Sequence, residues 1–143
     1  MSFDLEIRNG NLVIQNGDIK KIEDSNKLVQ DILKICLTPV GSDKLNPWYG
    51  SHFAKTAIGT AQDELMIKTV AQNQIIKSLE NLKQLQQNQI NLGQSLSASE
   101  QLLSVQSVVV DRDKYDFRIF NIYINVLSKG YAPITVNFQV STI

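Results

Sequence analysis

Residues 60–92 contain neither glycine nor proline, and this limits what the chain can fold into. The run stops at Gly93. Thr60 can accept a free amide hydrogen at the start of a helix, and acidic Asp63 suits the positive end of the helix dipole. A helix over residues 62–92 is ~45 Å long at 1.5 Å per residue, whereas a compact domain of this size is only about 35–40 Å across. The sequence therefore predicts that part of this helix extends beyond its own domain.

The predicted long helix carries an apolar patch and an uncharged end. The patch predicts a surface that packs against partner subunits, and its residues are Ile75, Ile76, Leu79 and Leu82, with Ile90 roughly in line. Residues 84–91 are mostly glutamine and asparagine and carry no charge. That composition is typical either of a solvated helix end or of a bundle in which amide side chains hydrogen-bond between subunits.

The N-terminus has the pattern of short strands joined by tight turns. Phe3, Leu5 and Ile7 alternate with polar residues, which predicts a strand with one buried face. Asn-Gly pairs follow at 9–10 and 16–17, and they favour hairpins because both turn residues tolerate a positive φ. We predict a three-stranded meander over residues 3–22.

An amphipathic helix is predicted next, over residues 25–38. Its apolar face consists of Leu28, Ile32, Ile35 and Cys36. Asp24 or Ser25 can cap its first turn, and Pro39 ends it because proline disfavours helical geometry in the preceding residue. Cys36, on the apolar face, is more typical of a small buried residue than of a reactive thiol.

The loop after this helix holds two large aromatic residues between a proline and a glycine. The segment is Pro47, Trp48, Tyr49 and Gly50. Such aromatics are typical anchors for a partner protein, and they are equally suited to close the domain's own core. The sequence leaves both interpretations open. His52, which follows, has no cysteine, histidine or aspartate at metal-ligand spacing, so we interpret it as an ordinary loop residue.

The C-terminal part, residues 102–143, predicts an antiparallel sheet. Residues 108–110 are three valines, apolar on both faces, which is typical of a central strand. The next strand places one apolar set on a single face, namely Phe120, Ile122, Ile124 and Val126. Residues 132–140 alternate in the same way and form the last strand.

The last strand lacks the usual protection of a sheet edge. From Ile119 to the C-terminus the only charged side chain is Lys129, whereas edge strands are usually defended by charges, bulges or a covering element. Pro133 marks an edge because it cannot donate to a ladder. The strand is therefore either covered by the N-terminal part of the chain or offered to a partner. The residues concerned are Ile134, Thr135, Val136, Asn137, Phe138, Gln139 and Val140.

Three motifs in fixed order resemble a known family. They are Gln-Asp-Ile at 30–32, Leu-Thr-Pro-Val-Gly-Ser at 37–42 and Pro-Trp-Tyr-Gly-Ser at 47–51. Together they resemble the baseplate wedge, or sheath-initiator, family of contractile phage tails, which has relatives in type VI secretion and other contractile injection systems. The resemblance covers most of the chain. It departs at residues 100–102, where Glu-Gln-Leu stands in place of the Glu-Pro-Arg that the family tends to carry.

The resemblance implies a structural subunit with no catalytic activity and no cofactor. It places the protein in the tail baseplate of a virion that is assembled in the bacterial host cytoplasm. The apolar patch of the long helix would join a bundle with neighbouring wedge proteins. Residues 134–140 would belong to a sheet that imitates one in the tail sheath protein, so that the first sheath ring adds to it. The hub or tube is a further implied partner.

Composition excludes several other classes of function. Fourteen basic residues balance fourteen acidic ones, so no global field attracts nucleic acid or an anionic membrane. The basic residues do not cluster as they do in nucleic-acid-binding modules. No apolar run approaches the ~20 residues that span a bilayer. We expect neither a nucleic-acid or membrane partner nor a small-molecule substrate.

The acidic residues argue against catalysis. A glycosidase needs two carboxyl groups about 5–10 Å apart across a cleft, one of them with a raised pKa. Asp63 and Glu64 stand at a helix start, and the acids of residues 111–116 alternate with bases in a turn. No phosphate-loop, nucleophile-elbow or zinc spacing is present. The alternatives that we retain are a tail-associated, lysozyme-like cell-wall hydrolase that uses Glu64 or Glu80, and a generic oligomeric adaptor.

We therefore predict a single α+β domain over residues 1–143. It consists of an N-terminal hairpin or meander, two helices of which the second is long, and a C-terminal antiparallel sheet.

Overall fold

The computed structural model describes residues 3–52 and 64–141, and it has the α+β class that the sequence predicts. Six two-residue strands come first: β1 (Asp4–Leu5), β2 (Ile7–Arg8), β3 (Asn11–Leu12), β4 (Ile14–Gln15), β5 (Asp18–Ile19) and β6 (Lys21–Ile22). After them come α1 (Asp24–Leu37), α2 (Glu64–Asn91), a 3₁₀ turn (Ala98–Glu100), β7 (Leu102–Arg112), β8 (Ile119–Ser128) and β9 (Pro133–Ser141). The predicted start of the long helix at Thr60 and Asp63 lies outside the described residues.

The core lies between the two helices and one face of the antiparallel sheet β7-β8-β9. Helix α2 packs against β7, and α1 packs against β9 and α2. The apolar face predicted for β8 is confirmed, since Phe120, Ile122, Ile124 and Val126 are each at most 1 % exposed. Cys36 of α1 is also buried, and burial raises the pKa of its thiol to about 12, so it stays protonated.

The central-strand prediction for residues 108–110 is wrong, because β7 is an edge strand and β8 is the central one. Val110 is buried and Val108 is half-buried against the core, but Val109 points to the other face of the sheet and is 41 % exposed. The apolar run reflects a strand whose outer face is only partly solvated rather than one with a neighbour on each side.

Residues 4–22 form three small antiparallel pairings, two of them hairpins, instead of a three-stranded meander. β1 pairs with β6, β2 with β3, and β4 with β5, all antiparallel. The residues between them close a ring of backbone hydrogen bonds, in which Glu6 donates to Lys20, Lys20 to Val13 and Val13 to Glu6 at 2.8–3.0 Å. Both Asn-Gly turns have positive φ at both residues, as predicted. We call residues 4–22 the hairpin unit.

Most aliphatic side chains of the hairpin unit are exposed, although Ile22 is buried. Phe3, Leu5 and Ile7, predicted to have a buried face, are 52 %, 36 % and 46 % exposed. The polar side faces α1 instead, where Gln30 donates to Asp4 and to the Leu5 carbonyl and accepts from the Ile7 N–H. The alternation was predicted correctly, but its burial within the chain was not.

The start of α1 differs from the prediction. The N-cap is Glu23, and neither it nor Asp24 caps the first turn through a side chain. Asp24 has a positive φ of 55° and accepts a hydrogen bond from the Ser97 hydroxyl at 2.9 Å. The Asp24 carboxylate therefore links the start of α1 to the 3₁₀ turn, and it does not accept hydrogen bonds from the free N–H groups of the first helical turn. At the other end, α1 stops at Leu37, two residues before Pro39.

Candidate functional site

The outer edge of β9 has no paired strand among residues 3–52 and 64–141. Its register with β8 runs without a shift from Leu127 opposite Pro133 to Ile119 opposite Ser141. Ser128 donates its N–H to the Ala132 carbonyl, which fixes the alternation of hydrogen-bonded pairs. Thr135, Asn137 and Gln139 therefore direct their backbone N–H and C=O groups away from β8. Three consecutive donor–acceptor sets are available on this edge.

The opposite edge of the same sheet is protected. The pairing of β7 with β8 shifts register twice, once between Leu102 and Ser104 and once between Val105 and Ser107, with the extra residue on β7 each time. Bulges of this kind disrupt an edge for further pairing. In addition, Gln72 of α2 donates its side-chain amide to the Val108 carbonyl at 3.0 Å. The two edges of the sheet are therefore not equivalent.

The side chains of β9 divide cleanly between its two faces. Ile134 and Val136 are buried, and Phe138 and Val140 are half-buried against the core. On the other face Thr135, Asn137 and Gln139 are exposed and uncharged. A polar row crosses this face, because Asn125 donates to Ser107 and accepts from Thr135, both at 2.8 Å. The row fixes the rotamer of Thr135 at the open edge.

The apolar patch predicted on the long helix is divided by the structure. Ile75, Leu79 and Leu82 are at most 2 % exposed and belong to the chain's own core. Ile76 is 41 % exposed and Ile90 is half-buried. The buried positions of α2 extend from Ile67 to Gln86, so the chain itself covers the face that was predicted for partners. Only the two ends of the helix project past its buried segment.

Gln86 explains part of the amide-rich end of α2. Its side chain is buried, donates to the Glu100 carbonyl at 2.9 Å and accepts from the Leu102 N–H at 2.8 Å. The amide therefore joins the helix to the first residue of β7. One of the predicted amide hydrogen bonds exists, but it is made within the chain and not between subunits. Leu92, just past the helix, is 85 % exposed.

The segment around residues 100–102, where the sequence departs from the Glu-Pro-Arg motif of the family, is also held by contacts within the chain. Glu100 is 1 % exposed and forms a capping box with Ser97. Gln101 donates its side-chain amide to the Leu96 carbonyl at 3.0 Å, and its own carbonyl accepts from the Lys129 N–H. The residues in place of proline and arginine thus hold the 3₁₀ turn against the β8–β9 hairpin.

The structure places one aromatic residue of the loop against the core and the other at the surface. Tyr49 is half-buried against the core, and burial together with the nearby Asp31 charge raises the pKa of its hydroxyl to about 12. Trp48 is 43 % exposed and meets the Tyr49 ring edge-on at 6.3 Å. Tyr49 therefore covers part of the core of the chain, whereas Trp48 is partly exposed to solvent beside Pro47.

Gly50 fixes the loop to the end of α1. Its φ is +117°, and a Cβ atom there would collide with the Thr38 carbonyl oxygen. The next residue, Ser51, donates its N–H to that same oxygen at 2.8 Å, and the Gly50 carbonyl accepts from the Ser78 hydroxyl of α2 at 3.1 Å. The loop is thereby closed on α1 and α2 through its backbone.

A chain of ion pairs lines a cavity of about 270 Å³ beneath Tyr49. Lys27 contacts Asp31 at 3.0 Å, Asp31 lies 3.7 Å from Lys34, and Lys34 is hydrogen-bonded to Asp4 of the hairpin unit. Partial burial of Asp4 opposes ionisation, but the hydrogen bond and charge of Lys34 outweigh it and lower the pKa of the carboxyl. The two carboxylates of this cavity are bridged by a lysine.

Acidification is expected to release the hairpin unit before the core unfolds. The folded pKa of Asp4 is below its ordinary value of 3.8, so its contribution is complete above pH about 4 and is lost as the pH falls through the folded pKa. Asp4→Asn should lower the free energy of opening of residues 4–22 by about 1–2 kcal/mol at neutral pH. Amide hydrogen exchange of these residues measures the change. Glu80→Gln, on the exposed face of α2, should leave their exchange unchanged.

Neither a metal-binding cluster nor a membrane-spanning helix is found in the part of the chain that the structure describes. Within residues 3–52 and 64–141, no three histidine, cysteine, aspartate or glutamate side chains lie close enough together to hold a metal ion. No described helix has the length and apolarity needed to cross a membrane.

The fold is shared with a solved protein. The crystal structure of a protein from Geobacter sulfurreducens described as a "putative tail lysozyme" matches this chain with a TM-score of 0.62. The match covers 82 % of this chain and 90 % of that one, at 11 % sequence identity. At this identity the likeness shows a common fold. No protein-family profile matches the chain, and no curated protein matches it in sequence.

Proposed function

We propose that this protein is a structural subunit of a contractile-tail baseplate that receives a strand of the tail sheath at β9. The observation that carries the proposal is the asymmetry of the sheet. The β7 edge is bulged and covered, whereas the β9 edge is regular, uncharged and open at three successive residues. Natural proteins leave such an edge open where another strand pairs with it.

Two further observations support a place in a phage tail. The fold is common to this chain and to a protein described as a tail lysozyme. The ordered motifs at residues 30–32, 37–42 and 47–51 resemble those of the baseplate wedge family. A virion component in the baseplate accounts for both, with the tail sheath protein as the partner of β9 and the hub or tube as a further neighbour.

Contacts with other wedge proteins fall, in this proposal, on the exposed side of α2. The helix turns Ile76 outward at 41 % exposure, and its first turn presents Leu65 and Met66 at 70 % and 56 %. Between these and the C-terminal end the outer face is mostly amide side chains. We propose this face for the contact instead of the one formed by Ile75, Leu79 and Leu82, because those three side chains pack in the core of the chain itself.

Asn137→Pro is expected to abolish the nucleation of sheath polymers while leaving the fold intact. The N–H of Asn137 points away from β8, so proline removes a donor only from the open edge. The measurement is co-sedimentation of the purified variant with its cognate sheath subunit, after circular dichroism has shown that it is folded.

Asn137→Ala is the matched control for the proline variant. It removes the side chain, keeps the backbone N–H and should nucleate sheath polymers like the wild type. Equal nucleation by the proline variant would show that β9 is not the docking edge. A wild-type chain that does not bind the sheath subunit would contradict the assignment itself.

A cell-wall hydrolase is the second candidate, and the description of the Geobacter protein is what favours it. The geometry of the described residues gives it little support. Glu80 has a half-exposed side chain 3.7 Å from Lys83, and the side chain of Glu64 lies outside the described part. Asp4, in the cavity beneath Tyr49, has a lowered pKa, the opposite of what a general acid requires. Peptidoglycan clearing that disappears in Glu80→Gln would establish the hydrolase instead.

A further inference from the structure

A directional chain of hydrogen bonds crosses the outer face of the C-terminal sheet and ends at its open edge. Ser107 of β7, Asn125 of β8 and Thr135 of β9 stand opposite one another in the strand registers. The Thr135 hydroxyl donates to the side-chain oxygen of Asn125 at 2.8 Å, and the side-chain NH₂ of Asn125 donates to the Ser107 hydroxyl at 2.8 Å. Both donations run from the β9 edge toward β7.

This chain leaves the Thr135 oxygen as a hydrogen-bond acceptor at the edge. A threonine hydroxyl has one proton and two acceptor lone pairs. The proton of Thr135 is given to Asn125, so the side chain offers lone pairs to its other neighbours. Thr135 is exposed, and its donation to Asn125 strengthens its oxygen as an acceptor, because hydrogen bonds in a chain polarise one another.

The two other outward-facing residues of this edge impose no such direction. Asn137 and Gln139 lie on the same face of β9 as Thr135, at intervals of two residues. Their amide side chains carry both a donor and an acceptor, so each can pair with either kind of group on a further strand. Thr135 is therefore the position at which this edge discriminates between donors and acceptors.

A strand that adds to β9 places one side chain directly beside Thr135. Residues opposite each other on paired strands have Cβ atoms about 4.5–5.5 Å apart. A hydroxyl or amide side chain at that position reaches the Thr135 oxygen and donates to it. A carboxylate would set one acceptor against another, and an aliphatic side chain would cover the oxygen without pairing it.

We infer that the sheath strand received at β9 carries a donor side chain opposite Thr135, namely serine, threonine, asparagine or glutamine. That side chain extends the hydrogen-bond chain by one link. The inference rests on the function proposed above and adds to it the chemistry by which the edge selects its strand. Backbone pairing gives affinity for any extended strand, whereas side-chain positions give specificity. Thr135 is thus a specificity-determining residue of the docking edge.

Thr135→Val tests the added link, because it removes the acceptor and keeps the branched shape of the side chain. The variant should bind the cognate sheath subunit about tenfold more weakly than the wild type, since the sheath donor is left unpaired in the contact. The half-saturation concentration in co-sedimentation measures the loss. Valine favours strands and Thr135 is exposed, so the circular dichroism spectrum should not change. Thr135→Ser, the matched control, keeps the hydroxyl and should bind within about threefold of the wild type.

A double-mutant cycle tests the same bond from the sheath side. Disulfide formation between Thr135→Cys and a set of single-cysteine sheath subunits identifies the sheath residue opposite, because a disulfide requires Cα atoms about 4.4–6.8 Å apart. Cys36 is buried and does not compete. Alanine at the identified sheath residue should weaken binding to the wild type about tenfold and have no further effect on binding to Thr135→Val.

The outcomes separate this inference from the function on which it rests. Equal binding by the wild type and Thr135→Val, together with loss of binding in Asn137→Pro, would overturn the donor link and leave β9 as the docking edge. An acidic or aliphatic sheath residue opposite Thr135 would overturn it in the same way. A wild type that does not bind the sheath subunit would contradict the docking function and, with it, this inference.

Discussion

Gly50→Ala is expected to lower the free energy of unfolding by about 3 kcal/mol, because the change combines backbone strain with a steric clash. At φ +117° an alanine is strained whatever space surrounds it, and its Cβ would also press on the Thr38 carbonyl oxygen. That oxygen accepts the Ser51 N–H, so relieving the clash breaks the closure of the aromatic loop. Urea denaturation followed by far-ultraviolet circular dichroism measures the loss.

Substitutions at two other glycines separate the effect of backbone strain from the effect of the steric clash. Gly93, just past α2, has φ +93° with no atom near the position of a Cβ, so Gly93→Ala should cost only the backbone strain, about 1 kcal/mol. Gly130 lacks a positive φ and has room for a methyl group, so Gly130→Ala should be within about 0.5 kcal/mol of the wild type. Equal losses at Gly50 and Gly93 would show that the contact with Thr38 contributes nothing.

Local sequence patterns predicted the elements well because each pattern depends on a short range of residues. The two-residue period of β8 identified its buried face correctly, since neighbours on both sides fix the orientation of a central strand. The same kind of alternation in Phe3, Leu5 and Ile7 predicted a buried face that is exposed in this chain. A two-residue period shows that one face of a strand is apolar and the other polar. It does not show whether the surface that covers the apolar face belongs to the same molecule.

The arrangement of the strands in the hairpin unit differs from the predicted meander, although its turns were predicted correctly. The Asn-Gly turns at 9–10 and 16–17 predicted two tight turns, and both exist. Their separation of seven residues, repeated in Leu5, Leu12 and Ile19, was the signal for three equivalent pairings rather than one meander. Segments of two residues are too short for a strand pattern, so only the repeat itself carries the information.

The candidate site was predicted in part for a similar reason. The scarcity of charge after Ile119, where Lys129 is the only charged side chain, and the position of Pro133 predicted an unprotected edge, and β9 is that edge. The bulges and the Gln72 contact that protect β7 depend on residues distant in sequence, which no local pattern contains. The contrast between the two edges, which carries the functional proposal, therefore required the structure.

Leu79→Ala is expected to lower the free energy of unfolding by about 3 kcal/mol, since a fully buried leucine leaves a cavity when it is truncated. Ile76→Ala, three residues earlier and 41 % exposed, should cost less than about 1 kcal/mol in the isolated chain. In a pull-down with neighbouring wedge proteins the order should reverse, because Ile76 lies on the proposed contact face. If Leu79→Ala kept its stability and lost its partners, the apolar patch would be an interface after all.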